Sequence, residues 1–430
     1  MAARPDAIRR ALDRLAADEA ERLVRRRRHL HRHPELSNRE RRTAAYVARH
    51  LRAVGLDEVR TGIAGHGVVG VLRGGRPGAR VVALRADMDA LPVREASGVP
   101  FASTVVDETY PGGPFPVAHA CGHDCHTATV MSAATVLATV REQLPGTVLF
   151  VFQPAEEGPP LDEQGGAQAM LDAGALADPE PTMVFGMHVS PLPRGHVGHR
   201  AGVQYAASCL AEVTISGRQV HASTPWMGVD PLPAAAELIS ASAQLYRQVA
   251  ATNAVTVSFG HVEDVGRFNI IGESVALYGT IRCVAEPDMA LVQERLRRLA
   301  EHIAQAHGCA AEVRFRQEVP AVVNAEPWLR AALPSVRRVV GEERVVEIPP
   351  TLGYDDVSVF INAYGGVYLV YGVQDTELRD GDLLPLPGGR GLFPNHSPGF
   401  YADDDALADS LRIHVHVAVD HLAGRLEATH

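Results

Sequence analysis

Two periodicities run through this chain. Residues 6–29 and 37–53 place apolar positions at helical spacing, and Ser37 with Glu40 three positions later reads as a capping box opening the second helix. Residues 127–140 form a further helical stretch of small and apolar side chains. Between these lie short, almost wholly apolar runs at 81–85, 147–152, 183–187 and 367–371, the signature of strands buried on both faces. Helices alternating with such strands predict an α/β fold, a catalytic domain built on a mostly parallel sheet.

The middle of the chain follows another order. Strands are expected at 209–216, 254–261, 274–283 and 311–317, with helices at 231–249 and 288–306. That sequence of elements, βαββαβ, is the ferredoxin-like arrangement. It predicts an inserted lid or dimerisation domain over 203–318, with the catalytic domain made of 1–202 and 319–430. Internal repeats and low-complexity segments are absent.

Composition narrows the classes. With 46% apolar residues and no apolar run near the roughly 18 residues of a membrane span, no membrane partner is expected. The net charge of −10 and the lack of a large basic face argue against a nucleic-acid partner. Arg25–Arg28 continue an amphipathic helical pattern and are expected to be a solvated helix face. The chain contains no lysine, which excludes Schiff-base, pyridoxal-phosphate and Walker-type phosphate chemistry. The cysteines, 121, 125, 209, 283 and 309, are odd in number and scattered, and the first residues carry no apolar signal core. A reducing, cytoplasmic setting is the expectation.

The chemistry lies where the apolar runs stop. Residues 81–85 run into Asp87 and Asp89, 147–152 into Glu156 and Glu157, and 183–187 into His188. The run at 367–371 precedes the loop holding His396, and Cys121 and His123 stand in HACGHDCH. In open α/β sheets, sites form beyond the carboxyl ends of the strands, so these clusters are expected on one rim. Thiolate, imidazole and carboxylate together hold zinc-like or manganese-like ions, and one glutamate of the pair is left to move protons. Other histidines and thiols have plainer readings. Cys125 and His126 begin a helix, His119 is a near neighbour of the site, His29, His31 and His33 serve packing and capping, and His414 and His416 are structural.

Taken in order, RRHLHRHPELSNRE, ALRADMDALPV, HACGHDCHTA, FQPAEEG, GMHV, HASTPWMGVDPL, GRFNIIGESVALYGTIR, GYDDVSVF and NHSPGFYADDDAL cover nearly the whole chain. The chain resembles the hippurate hydrolase, N-acyl-amino-acid amidohydrolase and auxin-conjugate hydrolase branch of the aminoacylase–carboxypeptidase metallopeptidases. The resemblance implies a site with two divalent ions, Zn2+ or Mn2+, held by Cys121, His123, Glu157, His188 and His396. It implies Glu156 as general base, Asp87 and Asp89 in support, and a homodimer. In the inserted domain it implies that His221 reaches the partner subunit's site and that Asn269 touches substrate.

The substrate expected is a small N-acyl amino acid or related amide. The alternatives are a dipeptidase or carboxypeptidase on the same site, or a catalytically silent binding protein, which the filled ligand and base positions disfavour. Departures from the family pattern lie at the insertion after PAEEG, at Trp226, at GYDDVSVF and in the loop from 372 to 395. They bear on the substrate pocket, and the anchor for a substrate carboxylate stays open between Arg267, Arg282 and other groups.

Overall fold

The computed structural model describes residues 5–426 and 428. These fall into two compact units. The first comprises the chain up to Gly202, Asn324–Ile348 and the stretch from Val359 onward; the second comprises Val203–Val323 and Pro349–Ser358.

The first unit opens with helices α1 (Pro5–Arg32) and α2 (Arg41–Val54) and strands β1 (Glu58–Ile63), β2 (Gly67–Arg73) and β3 (Arg76–Asp87). Helix α3 (His123–Thr139), strand β4 (Pro145–Gln153), helix α4 (Gly166–Asp172) and strands β5 (Met183–Pro193) and β6 (Val197–His199) follow. The second unit supplies β7 (Ala207–Ser216), α5 (Pro231–Ser242), β8 (Val255–Asp264), β9 (Ser274–Cys283), α6 (Pro287–Ala306) and β10 (Ala310–Val319). After it come α7 (Glu326–Val340), β11 (Val345–Glu347), α8 (Val357–Tyr364), β12 (Gly366–Gln374) and α9 (Leu407–Leu422).

The eight-stranded sheet of the first unit has the order β1-β2-β4-β3-β5-β12-β6-β11. Its centre, β4, β3, β5 and β12, is parallel; β1 and β2 add antiparallel at one side, and β6 pairs antiparallel with β12. Every residue of β12 and nearly every residue of β4 is buried, which is why these strands read as unbroken apolar runs. Register sets the site: Asp87 lies opposite Gln153, His188 opposite Val370, and Leu84 opposite Phe185, so β3 and β4 end at the level of His188 while β5 and β12 run on to Pro193 and Gln374. Helices α3 and α9 pack on the sheet, and α1 packs against both. α3 is buried almost all round, which accounts for its small, apolar composition.

Two expectations about the helices are corrected. Ser37 and Glu40 do not form a capping box. α2 starts at Arg41, Glu40 is its N-cap residue without a side-chain cap bond, and both side chains turn toward the strand ends instead. Nor are Arg25–Arg28 a solvated face. Arg25 and Arg28 are largely exposed, but Arg27 is buried, its Nε 2.8 Å from Asp124 Oδ2 and its Nη1 3.0 Å from Asp404 Oδ1. Asp124 in turn accepts His31 Nδ1 at 2.8 Å, and His31 Nε2 lies 2.9 Å from Glu95 Oε1. His31 is therefore part of a buried ionic chain, whereas His29 and His33 pack and cap as expected, with His29 stacked on Tyr46 and His33 Nδ1 on the His29 carbonyl.

The second unit is an antiparallel four-stranded sheet, order β8-β9-β7-β10, with α5 and α6 on one face. The alternation of buried and half-exposed positions along β7 and β9 follows from one covered face. α5 ends at Ser242 rather than at 249; a 3-10 turn, Leu245–Gln248, follows it. No helix among the described residues is long and apolar enough to cross a membrane.

Removing one member of a buried ion pair strands the other. Arg27→Met is therefore expected to lower stability by about 3–5 kcal/mol in urea unfolding, and Arg25→Met by less than about 0.5 kcal/mol. Equal effects of the two would show that the Arg27–Asp124 pair contributes nothing.

Candidate metal centre

The polar clusters meet at the carboxyl end of the parallel strands. β3 runs on into Asp89, β4 into the turn carrying Glu156 and Glu157, and His188 lies within β5. Cys121 and His123 flank Gly122, the N-cap of α3. Gly122 has φ +88°, and a Cβ there would lie 2.3 Å from Val189 Cγ2, so glycine is what lets the Cys121–His123 segment seat on β5. His396 comes from the loop after β12. Its N–H donates to the Ala120 carbonyl at 2.8 Å, and Asn395 Nδ2 donates to the carbonyls of Cys121 and Val189 at 3.0 and 3.2 Å.

Several groups of donors have their atoms within 4.8 Å of one another; two of them share the Cys121 sulfur, Cys121 with His123 and His188, and Cys121 with Glu157 and His396, while His123 also groups with Glu156 and Glu157 and with Asp87 and His126. Cys121 Sγ is 3.4 Å from His188 Nε2, and His396 Nε2 is 3.2 Å from Glu157 Oε1. His123 Nε2 faces Glu156 Oε2 at 3.7 Å and Glu157 Oε1 at 3.8 Å. The opposite nitrogens are held from behind: His123 Nδ1 lies 3.2 Å from Asp89 Oδ1, and His188 Nδ1 donates to the Val189 carbonyl at 2.7 Å. A proton fixed on Nδ1 leaves the Nε2 lone pair turned into the cluster, as metal-binding histidines require.

These residues fit a divalent cation. His123 Nε2 is buried and has no hydrogen-bond partner among the described residues. Burial, then Glu157, Glu156 and Asp87, push the Cys121 thiol well above its ordinary range. Burial opposes a charge on His123, but Asp87, Asp89 and Glu157 raise its pKa to about 10. Burial would also raise Glu157; His396 and His123 instead bring it down to about 2. The cluster thus holds more negative charge and more lone pairs than its own protons satisfy, and a cation supplies what is missing.

Asp87 and His126 stand one layer back. Asp87 Oδ2 accepts Arg85 Nη1 and Oδ1 accepts His126 Nδ1, both at 2.6 Å. His126 Nε2 accepts the Val189 N–H at 2.9 Å, so both of its nitrogens are used and the ring is structural. His119 is buried with neither nitrogen hydrogen-bonded, and burial pushes its pKa down to about 3. In the second unit, His221 and Asn269 are neighbours: His221 pairs with Ile270 across a short ladder, and the Ala222 N–H donates to the Asn269 carbonyl at 3.1 Å. His221 Nδ1 accepts the Ser223 N–H at 3.0 Å, which places the ring proton on the exposed Nε2. Arg282 lies over the Tyr354 ring at 4.2 Å and Arg267 over Phe268 at 5.1 Å, so both guanidinium groups are engaged within that unit.

Ser37, Glu40, His126 and Asn395 touch this centre or its supports without having been singled out for it from the sequence. Asn395 adjoins His396 and could have been suspected; the other three looked like helix-end residues.

The raised pKa values of Cys121 and His123 imply that at about pH 7, without metal, the thiol keeps its proton and the imidazole carries a second one on Nε2, and neither atom ligates until that proton leaves. Loading with Zn2+ is therefore expected to release protons, and affinity to rise with pH. Titration calorimetry in buffers of different ionisation enthalpy reads the release. Tight binding without it would remove both residues from the ligand set.

Comparison with known proteins gives the family. Residues 83–381 match the model of peptidase family M20/M25/M40. N-acetylcysteine deacetylase of Bacillus subtilis is 33% identical over 400 residues, covering 93% of this chain and 96% of its own. An IAA-amino acid hydrolase of Arabidopsis thaliana is 32% identical over 406 residues, covering 93% of this chain and 85% of its own. The crystal structure of the Bacillus subtilis YXEP protein, described as a dinuclear metal binding peptidase from the M20 family, superposes with a TM-score of 0.72 at 30% identity, over 95% of this chain and 99% of that one. With its donors gathered at the strand ends and these relatives matched almost end to end, the chain belongs to peptidase family M20/M25/M40, as a metal-dependent hydrolase acting on amide bonds.

Proposed function

We propose that this protein hydrolyses the amide bond of small N-acyl amino acids or closely related amides. The observation that carries the reading is the division of labour within the glutamate pair. Glu157 joins Cys121 and His396 in one donor group, whereas Glu156 joins neither group that shares that sulfur and meets His123 in a group with Glu157. That difference supports Glu157 as the ligand and Glu156 as the carboxylate that transfers protons. Cys121, His123 and His188 would hold one divalent ion, and Cys121, Glu157 and His396 a second, zinc or manganese. When bound, the ions supply the Lewis acidity that polarises a carbonyl and lowers the pKa of a water to about 7.

Glu156 takes the proton of the attacking water and hands it to the departing amine. Asp89 keeps the His123 ring in place, and Asp87, fixed by Arg85, steadies His126 behind it. The products are a carboxylic acid and an amine. The acyl-amino-acid class is supported by the two curated relatives, whose names give N-acetylcysteine and IAA-amino acids as their substrates. The second reading, a dipeptidase or carboxypeptidase on the same residues, has the description of the Bacillus subtilis structure as a peptidase in its favour. The free, buried state of all five cysteines supports a reducing, cytoplasmic setting.

A homodimer whose second unit acts as lid and contact surface is part of the proposal. Strand β8 is a sheet edge, and Trp226 and Phe268 are 78% and 87% exposed, surface that a second copy would cover. His221 Nε2–H and Asn269 would then reach substrate in the partner's site.

Glu156→Gln is expected to keep its metal and lose turnover by roughly 10²–10⁴-fold; near-normal activity in the metal-replete variant would sink the assignment. Amine release should follow acetyl, benzoyl and longer acyl amino acids, while robust cleavage of unblocked dipeptides alone would select the second reading. Mixed His221→Ala and Glu156→Gln subunits should regain part of the activity each lacks, since some mixed dimers hold one complete site. Exchange of subunits without any recovery would confine His221 to its own subunit.

A further inference from the structure

Ser37 and Glu40 read as a helix cap and are not one. Glu40 is fully buried, an expensive place for a carboxyl group unless it has a task. Its Oε1 accepts the Asn38 N–H at 3.0 Å and the Ala155 N–H at 2.8 Å. Ala155 has φ +53°, a left-handed conformation that an alanine holds only when its surroundings enforce it. Ser37 Oγ donates to Asp89 Oδ2 at 2.7 Å, and that same oxygen accepts the Glu157 N–H at 3.0 Å. The N–H groups of the two residues flanking Glu156, Ala155 and Glu157, are thus both tied, one directly and one through Asp89, to a four-residue segment.

The grip continues downstream. Asn38 Nδ2 donates to Glu163 Oε2 at 3.0 Å and to the Gln164 carbonyl at 2.9 Å, and Arg39 closes on Glu163 with contacts of 2.9 and 2.7 Å. The inserted stretch after PAEEG is therefore pinned to the same segment. A helix cap would direct these side chains to the first-turn amides of α2, and Glu40 makes no such bond.

We infer that Ser37 and Glu40 are positioning residues which clamp the turn after β4 and so set the places of Glu156 and Glu157. The inference rests on the proposed roles of that pair. Neither residue touches substrate. The clamp works through oxygen atoms that accept amide protons, not through charge. Oε2 of Glu40 has no hydrogen-bond partner among the described residues, so an amide nitrogen there breaks no bond.

The test uses the full-length protein and Zn2+. Glu40→Ala is expected to weaken Zn2+ binding to the metal-free protein about 10–100-fold, through Glu157, and to lower kcat of the zinc-loaded protein by a similar factor, with KM changed by less than about threefold. Glu40→Gln restores most of both losses, because its carbonyl oxygen still accepts the two amides. Ser37→Ala is expected to weaken Zn2+ binding about tenfold, and carries the test should Glu40→Ala fail to fold. Wild-type Zn2+ affinity and kcat in Glu40→Ala or in folded Ser37→Ala would overturn the clamp. A Glu40→Gln variant as impaired as Glu40→Ala would replace it with an ionisable role. Lower unfolding temperature with unchanged kcat in the folded fraction would leave Glu40 a structural residue only. If Glu156 is not the base, Glu156→Gln stays active while Glu40→Ala still loses Zn2+, so the two failures are distinguishable.

Discussion

The carboxylate of Asp89 is the point on which the candidate metal centre turns. Its Oδ1 faces His123 Nδ1, and its Oδ2 takes the Glu157 amide and the Ser37 hydroxyl. One buried group therefore sets the direction of the His123 ring, the height of the glutamate turn and the approach of the chain ahead of α2. Such sharing explains why the group can remain buried: an isolated carboxylate would be costly, but one ringed by donors and facing an imidazole is held by them. It also places the cost of disorder where it matters, since a shift in Asp89 moves two donor side chains at once.

Behind the site, charge is organised in a second layer. Glu95, His31, Asp124, Arg27 and Asp404 form a mostly buried chain that ties α1 to the first turn of α3 and to the segment before α9. Burial disfavours a charge on His31, yet Asp124 outweighs it and the pKa lies above its ordinary value. Burial likewise would raise Asp124, but Arg27 and His31 hold it far below the usual carboxylate range. Asp124 directly follows His123, so this chain fixes the start of α3 while Asp89 holds the His123 ring. Arg85 plays the matching part for Asp87, between Gln153 and Tyr368.

The second unit has another logic. Its helices cover one face of a small sheet, and it leaves Trp226, Met227 and Phe268 in solvent. The orientation of His221, set by the Ser223 amide, likewise presents a donor outward rather than into its own core.

The sequence by itself determined the architecture and which chemical groups stand near the strand ends. Unbroken apolar runs are what parallel strands buried on both faces require, and Glu156 and Glu157 follow such a run at the rim, whereas His188 lies within β5, which runs on to Pro193. The βαββαβ order of the second unit was legible as well, since alternation along 274–283 follows from a single covered face. Tertiary structure decided what periodicity does not encode. An arginine run looks solvated until one member, Arg27, meets Asp124 and Asp404 from distant parts of the chain. Ser37 and Glu40 have the spacing of a cap, and only the return of Ala155 and Asp89 beside them redirects their oxygens. Local sequence fixes which groups a residue can donate or accept; which partner arrives depends on how the strands end in space.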